Sequence, residues 1–224
     1  MNSYKFNQRC RPRSDFRIKE VIEWLNLMRE AFSLDFIYDK NDCPVDIVEK
    51  SLQQVFERKL DKRFPGIGVN VDFFSIQPKL RRDETVCFEI HTGTYTGEKF
   101  VDTYHVSVNY CPPVPDFKYL RRSIEIFRPF EAYLSESKNE KVMDAYDRFQ
   151  TVGFNKPAIM RGFHYLDEAF AKSIGGIDNC LKAPAWKVEQ FCEGVLIQLI
   201  DGVFDTENPS HIEAQQQAMK FFMM

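Results

Sequence analysis

"ETVCFEIHTGTYTGEKFVDTYHVSVNY", Glu84 to Tyr110, decides the fold, because its apolar side chains recur at every second position. Before the glycine at 97, Val86, Phe88 and Ile90 fall on one side and Cys87, Glu89 and His91 on the other. After it, Tyr104, Val106 and Val108 oppose Thr103, His105 and Ser107. Two such runs joined by Thr-Gly-Glu-Lys predict an antiparallel hairpin with one apolar and one polar face. "VNVDFFSIQ" (69–77), after the turn "FPGIG", adds a third strand and makes the unit a meander.

Upstream, "SYKFNQRC" (3–10) reads as a short first strand. "SDFRIKEVIEWLNLMREAF" (14–32) predicts a helix, with Ile18, Val21, Ile22, Leu25, Met28 and Phe32 forming one apolar stripe and Ser14 or Asp15 as the cap. A second helix is expected after "NDCP", with Pro44 in its first turn and Ile47, Leu52, Val55, Phe56 and Leu60 on its apolar side.

Downstream, "CPPVPD" (111–116) punctuates the chain and marks a possible weak subdivision, though it is short for a linker between domains. "FKYLRRSIEIFRPFEAYLSES" reads as helical on both sides of Pro129, with a kink or break at the proline. "NEKVMDAYDRFQ" is a further helical segment. "PAIMRGFHYLD" and "KVEQFCEGVLIQLID" read as strands, separated by a short helix "EAFAKSI" that Gly175-Gly176 ends. "PSHIEAQQQAMKFF" closes the chain as a helix. The expected class is α+β: an antiparallel sheet with helices packed on one face, in one domain spanning residues 1–224.

Composition narrows the function. A 44% hydrophobic fraction with 21 phenylalanines is globular. A net charge of −3 argues against a chain built to hold nucleic acid. The charge is uneven: residues 1–130 carry net +2 and residues 131–224 net −5, so the C-terminal third suits a basic partner. Six cysteines without a Cys-x-x-Cys pair, no signal segment and no long apolar run predict a cytoplasmic protein that does not engage a membrane.

Two constellations carry chemistry. On the polar sheet face, Glu89 falls opposite His105 with His91 one pleat away. A Glu–His pair can orient an imidazole for base work, and two histidines plus a carboxylate form a metal-ligand set. An exposed sheet face bearing Glu, His, Thr and Ser is also ordinary, and a protein-binding face is the next reading. His164, between apolar neighbours, reads as a core or edge histidine. The second constellation, "LIDGVFDTENPSHIEAQQQ", gathers Asp201, Asp205, Glu207 and His211. Its spacing is wrong for a calcium loop, since apolar Val203 and Phe204 separate the two aspartates. Asn208 before Pro209 instead predicts a helix cap, with Asp205 and Glu207 beside the positive end of the helix. No Gly-x-Ser-x-Gly elbow, phosphate loop or His-Glu-x-x-His occurs in the sequence, which favours a binding protein over an enzyme.

The strand "GVLIQLIDG", the loop "VFDTENPSH" and the closing amphipathic helix, preceded by the aromatic strand "RGFHYL", resemble the C-terminal portion of the immunity protein 52 family of bacterial polymorphic-toxin systems. The resemblance implies a cytosolic α+β protein without catalytic activity or cofactor. Its expected partner is a cognate toxin of the restriction-endonuclease-like nuclease type, delivered between competing bacteria. Asp201, Asp205, Glu207, Glu89, His91 and His105 are then the candidate partner-binding residues. The rivals are a small hydrolase using Glu89, His91 and His105, and an adaptor or chaperone for a secreted effector.

Overall fold

Period-two alternation places β3 (Asn70–Ser75), β4 (Thr85–Thr96) and β5 (Lys99–Asn109) as the expected antiparallel meander. This is a computed structural model, and it describes residues 4–13, 15–39, 43–59, 70–75, 85–96, 99–109, 116–136, 157 and 159–223. Val86, Phe88, Ile90 and Tyr104 are fully buried, as the apolar side of the alternation requires. The turn around Gly97, the segment "FPGIG", most of "CPPVPD" and the segment "NEKVMDAYDRFQ" lie outside the described residues.

The meander is part of one nine-stranded antiparallel sheet, in the order β2-β3-β4-β5-β1-β6-β7-β9-β8, within an α+β domain. Its other strands are β1 (Tyr4–Cys10), β2 (Tyr38–Asp39), β6 (Glu131–Glu136), β7 (Phe163–Asp167), β8 (Lys187–Phe191) and β9 (Gly194–Gln198). β1 enters between β5 and β6 and pairs with both.

Three helices cover the apolar face of this sheet: α1 (Ile18–Ala31), α2 (Glu49–Lys59) and α3 (Phe117–Phe127). Ile18, Val21, Trp24, Leu25 and Met28 of α1 pack with Leu52 and Phe56 of α2 over Val71, Phe73, Phe88 and Val106. The Trp24 ring lies edge-on to Phe88, Tyr104 and Phe127 at centroid separations of 5.5–6.2 Å. Leu120 and Ile124 of α3 continue the layer over Phe6, Leu134, Phe163 and Leu196.

At the β7–β9 end the opposite face is covered too. Leu166, Val195 and Ile197 point away from α3 and pack with Phe170, Cys180 and Ala218, which come from α4 (Glu168–Lys172), α5 (Ile177–Cys180) and α6 (Pro209–Phe221). Cover on both sides accounts for the near-continuous burial of β7.

Four local expectations are corrected. After Pro129 the chain is strand, not helix: Arg128 adopts a left-handed conformation (φ 47°) and donates its N–H to Ile124 O, which ends α3. The N–H of Phe130 then donates to Arg9 O and brings β6 into the sheet. Pro44 does not start α2. It bridges to Tyr38 in an extended segment closed by Val45 N to Ile37 O and Asp39 N to Cys43 O, and α2 begins at Glu49. Asp15 accepts the N–H of Arg17 but does not cap α1, because the chain enters the helix through left-handed Phe16 and Arg17. "KVEQFCEGVLIQLID" is a hairpin of β8 and β9, turned at left-handed Cys192 and at Glu193. Gly194 is required there, since a Cβ would lie 2.1 Å from Leu166 O.

Among the described residues no helix is long and apolar enough to cross a membrane.

Candidate functional site

The pairing registers align one row of side chains across five strands. Glu89 of β4 is opposite His105 of β5, His105 opposite Asn7 of β1, Asn7 opposite Tyr133 of β6, and Tyr133 opposite His164 of β7. Because side chains alternate along a strand, this row and its i±2 neighbours share the face turned away from α1–α3. The expected register of Glu89 against His105, with His91 one pleat away against Thr103, is the one observed.

Two clusters form on that face. In the first, one ligand atom from each of Glu89, His91 and His105 lies within 4.8 Å of the others. The two rings stand edge to face, 5.4 Å apart, and His91 Nε2 is 3.8 Å from Glu89 Oε2. The Lys5 ammonium donates to Glu89 Oε2 at 2.7 Å. Asn7 orients the second histidine: its Nδ2 donates to Lys5 O (3.2 Å) and to Ser135 Oγ (3.3 Å), so its Oδ1 faces His105 Nδ1 and accepts the proton carried there. The Nε2 lone pair of His105 is thereby left for other work.

The charge states follow from these contacts. The adjacent His91 ring holds the Glu89 carboxyl down at about 2; partial burial opposes this and the Lys5 ammonium reinforces it. Burial, helped by Lys5, holds His105 well below its ordinary value, so the imidazole is neutral near pH 7. The first cluster therefore presents an ionised carboxylate and a neutral imidazole side by side.

The second cluster is interior. His164 Nδ1 accepts the Arg161 N–H, so Nε2 carries the proton and donates to Glu131 Oε1 at 2.9 Å. Glu131 Oε2 accepts from Arg9 at 2.7 Å, and Arg9 also reaches the Tyr133 hydroxyl at 3.1 Å. The guanidinium groups of Arg9 and Arg161 each lie 5.3 Å from the Tyr133 ring centre. Glu131 and His164 are 2% and 1% exposed. Burial acts to raise the Glu131 carboxyl, but Arg9 and His164 outweigh it and hold the group below its usual range. His164 is a satisfied core histidine, in keeping with its apolar sequence neighbours.

The acidic junction sits elsewhere. Asn208 caps α6 by accepting the Ser210 N–H, with Pro209 at the first helical position, as expected. Asp205 Oδ1 accepts the Glu207 N–H, and the Asp205 N–H donates to His211 Nδ1. Asp201 and Glu207 are exposed and Asp205 is half-buried. This loop follows β9, which stands five places along the sheet order from β4, the strand that carries Glu89 and His91. The loop approaches the sheet at a cleft lined by Ser135, Arg161, Phe204, Thr206 and Gln215 among others.

Sequence reasoning misses Lys5, Asn7, Arg9, Glu131, Tyr133 and Arg161. A signal exists for the first three, since they alternate with Phe6, Gln8 and Cys10 along "YKFNQRC" and so mark a polar strand face.

No protein-family model matches the sequence, and no curated protein matches it. In fold the chain is similar to a solved Pseudomonas aeruginosa T6SS protein, PA0821, with a TM-score of 0.53 at 12% identity, over 99% of this chain and 73% of that one.

Proposed function

We propose that the chain is an immunity protein: it binds a cognate antibacterial toxin, expected to be a restriction-endonuclease-like nuclease, and neutralises it in the cytoplasm of the producing cell. The observation that carries the reading is a fold likeness to a T6SS protein that extends over 99% of the chain. It agrees in direction with the resemblance of the β7, β9 and α6 sequence to the immunity protein 52 family. A nuclease holds its substrate in a basic groove, and the exposed carboxylates of Asp201 and Glu207, with Asp205 between them, supply charge of the complementary sign. In this reading the protein acts by occupying a surface and performs no chemistry of its own.

Co-expression with a candidate toxin drawn from the coding neighbourhood is the direct test. Protection of the cells, together with a stable complex of the purified pair, supports the reading. Loss of viability despite expression of the folded chain, with no association in vitro, removes it. The hydrolase rival is favoured by the assembly of Glu89, His91 and His105 on one face, and it requires an activity that His105→Ala abolishes.

A further inference from the structure

The Glu89, His91 and His105 cluster has the donor set, the scaffold and the supporting contacts of a metal centre. Two donors leave the same side of β4 at positions i and i+2, and the third stands directly opposite the first on β5. We propose that Glu89, His91 and His105 bind a divalent transition metal ion of the zinc class, leaving a coordination position open toward solvent.

Imidazole nitrogen with one carboxylate suits zinc and its first-row neighbours, whereas magnesium and calcium favour all-oxygen sites. Convergence from two hydrogen-bonded strands fixes the donors more firmly than a loop would. Metal-bound histidines usually donate their other ring N–H to an oxygen acceptor, and His105 already does so to Asn7 Oδ1. Asn7 is itself held by Lys5 O and Ser135 Oγ.

Lys5 is the competitor. Its ammonium occupies Glu89 Oε2, but the side chain is 30% exposed and can turn to solvent when an ion arrives. The site is therefore predicted to bind more weakly than its donor set allows, and to tighten when Lys5 loses its charge. Metal binding is a property of the isolated chain, so its success or failure leaves the immunity reading to the co-expression test.

The purified 224-residue chain is titrated with Co2+, whose visible d–d bands report the coordination sphere, and with Zn2+ by calorimetry. One ion per chain is expected. His91→Ala and His105→Ala should each weaken binding tenfold or more and remove the Co2+ bands. Asn7→Ala should weaken it about tenfold, and His211→Ala should leave it unchanged. Lys5→Met should tighten binding, a gain that misfolding cannot produce. Binding that survives the His91→Ala/His105→Ala double variant overturns the proposal, as does the absence of Co2+ bands in both the wild type and Lys5→Met.

Discussion

Glu89 and His105 face each other across β4 and β5, one held ionised and the other held neutral. Both folded-state pKa values are depressed, so in each case the unfolded chain binds the proton more readily. The stabilisation is fully present above the unfolded pKa and is lost as pH falls toward the folded one. Two acid-side losses are expected: one beginning below the ordinary histidine value of 6.5, and one between the ordinary glutamate value of 4.5 and about 2. With its partial exposure discounted for solvent screening, Glu89 contributes about 1–2 kcal/mol. Urea denaturation at a series of pH values checks this. His105→Gln should remove the first loss and Glu89→Gln the second, and profiles that match the wild type would refute the assignment.

Glu131 holds two cationic or proton-donating neighbours, Arg9 and His164, in the interior. Glu131→Ala leaves the Arg9 charge without its carboxylate, and the expected loss is about 3–5 kcal/mol. Replacing Arg9→Met, Glu131→Leu and His164→Phe together should cost far less, because Arg9 is then not left in the interior without its carboxylate. Equilibrium denaturation of the two variants separates these outcomes. A triple variant less stable than the single one would show that the network is worth more than its desolvation costs.

The meander is legible in the sequence because the apolar side chains alternate from Val86 to Ile90 and again from Tyr104 to Val108, which marks the buried face of each strand. The turn register alone, with Thr96 opposite Lys99, would set Glu89 against Val106; an irregularity between His91 and Thr94 shifts the pairing by one residue and brings Glu89 opposite His105. Asn7 is not legible as their neighbour, because β1 reaches β5 across 98 residues and nothing local to either strand records the pairing. Glu131 and Tyr133 are hidden for a different reason. "FEAYLSE" is rich in helix formers, and its strand state is imposed by β1 and β7 on either side. The β8–β9 hairpin is hidden by its turn: Cys192-Glu193 has none of the Asn-Gly or Asp-Gly chemistry that marks such turns, and Cys192 takes the left-handed conformation itself.

Gly194 sits where β9 passes β7 too closely for a side chain. The atom that a Cβ would meet at 2.1 Å is the backbone oxygen of Leu166, which cannot swing aside as a flexible side chain could. Gly194→Ala should therefore push β9 away from β7 and destabilise the chain by on the order of 2 kcal/mol or more. Gly176→Ala, where nothing lies within 4 Å, provides a comparison that isolates the cost of a positive φ (87°). Thermal melts of the two variants should place Gly194→Ala clearly lower, and equal melting temperatures would contradict the close approach.

The β9–α6 junction has two roles that different residues carry, so they can be separated. Asn208 caps α6, and Asn208→Ala should cost about 1 kcal/mol of stability. Asp201 and Glu207 are exposed, and neutralising them as Asp201→Asn and Glu207→Gln should change stability by less than about 0.5 kcal/mol. If the partner is basic, the second pair of changes should instead slow association several-fold at low salt, with the difference shrinking as ionic strength rises. Asn208→Ala should leave the salt dependence of that rate unchanged while lowering the melting temperature. Stopped-flow association with the cognate toxin at several salt concentrations, alongside melts of each variant, reads both effects. An association rate indifferent to both Asp201→Asn and Glu207→Gln would confine this loop to its capping role and place the partner's surface elsewhere.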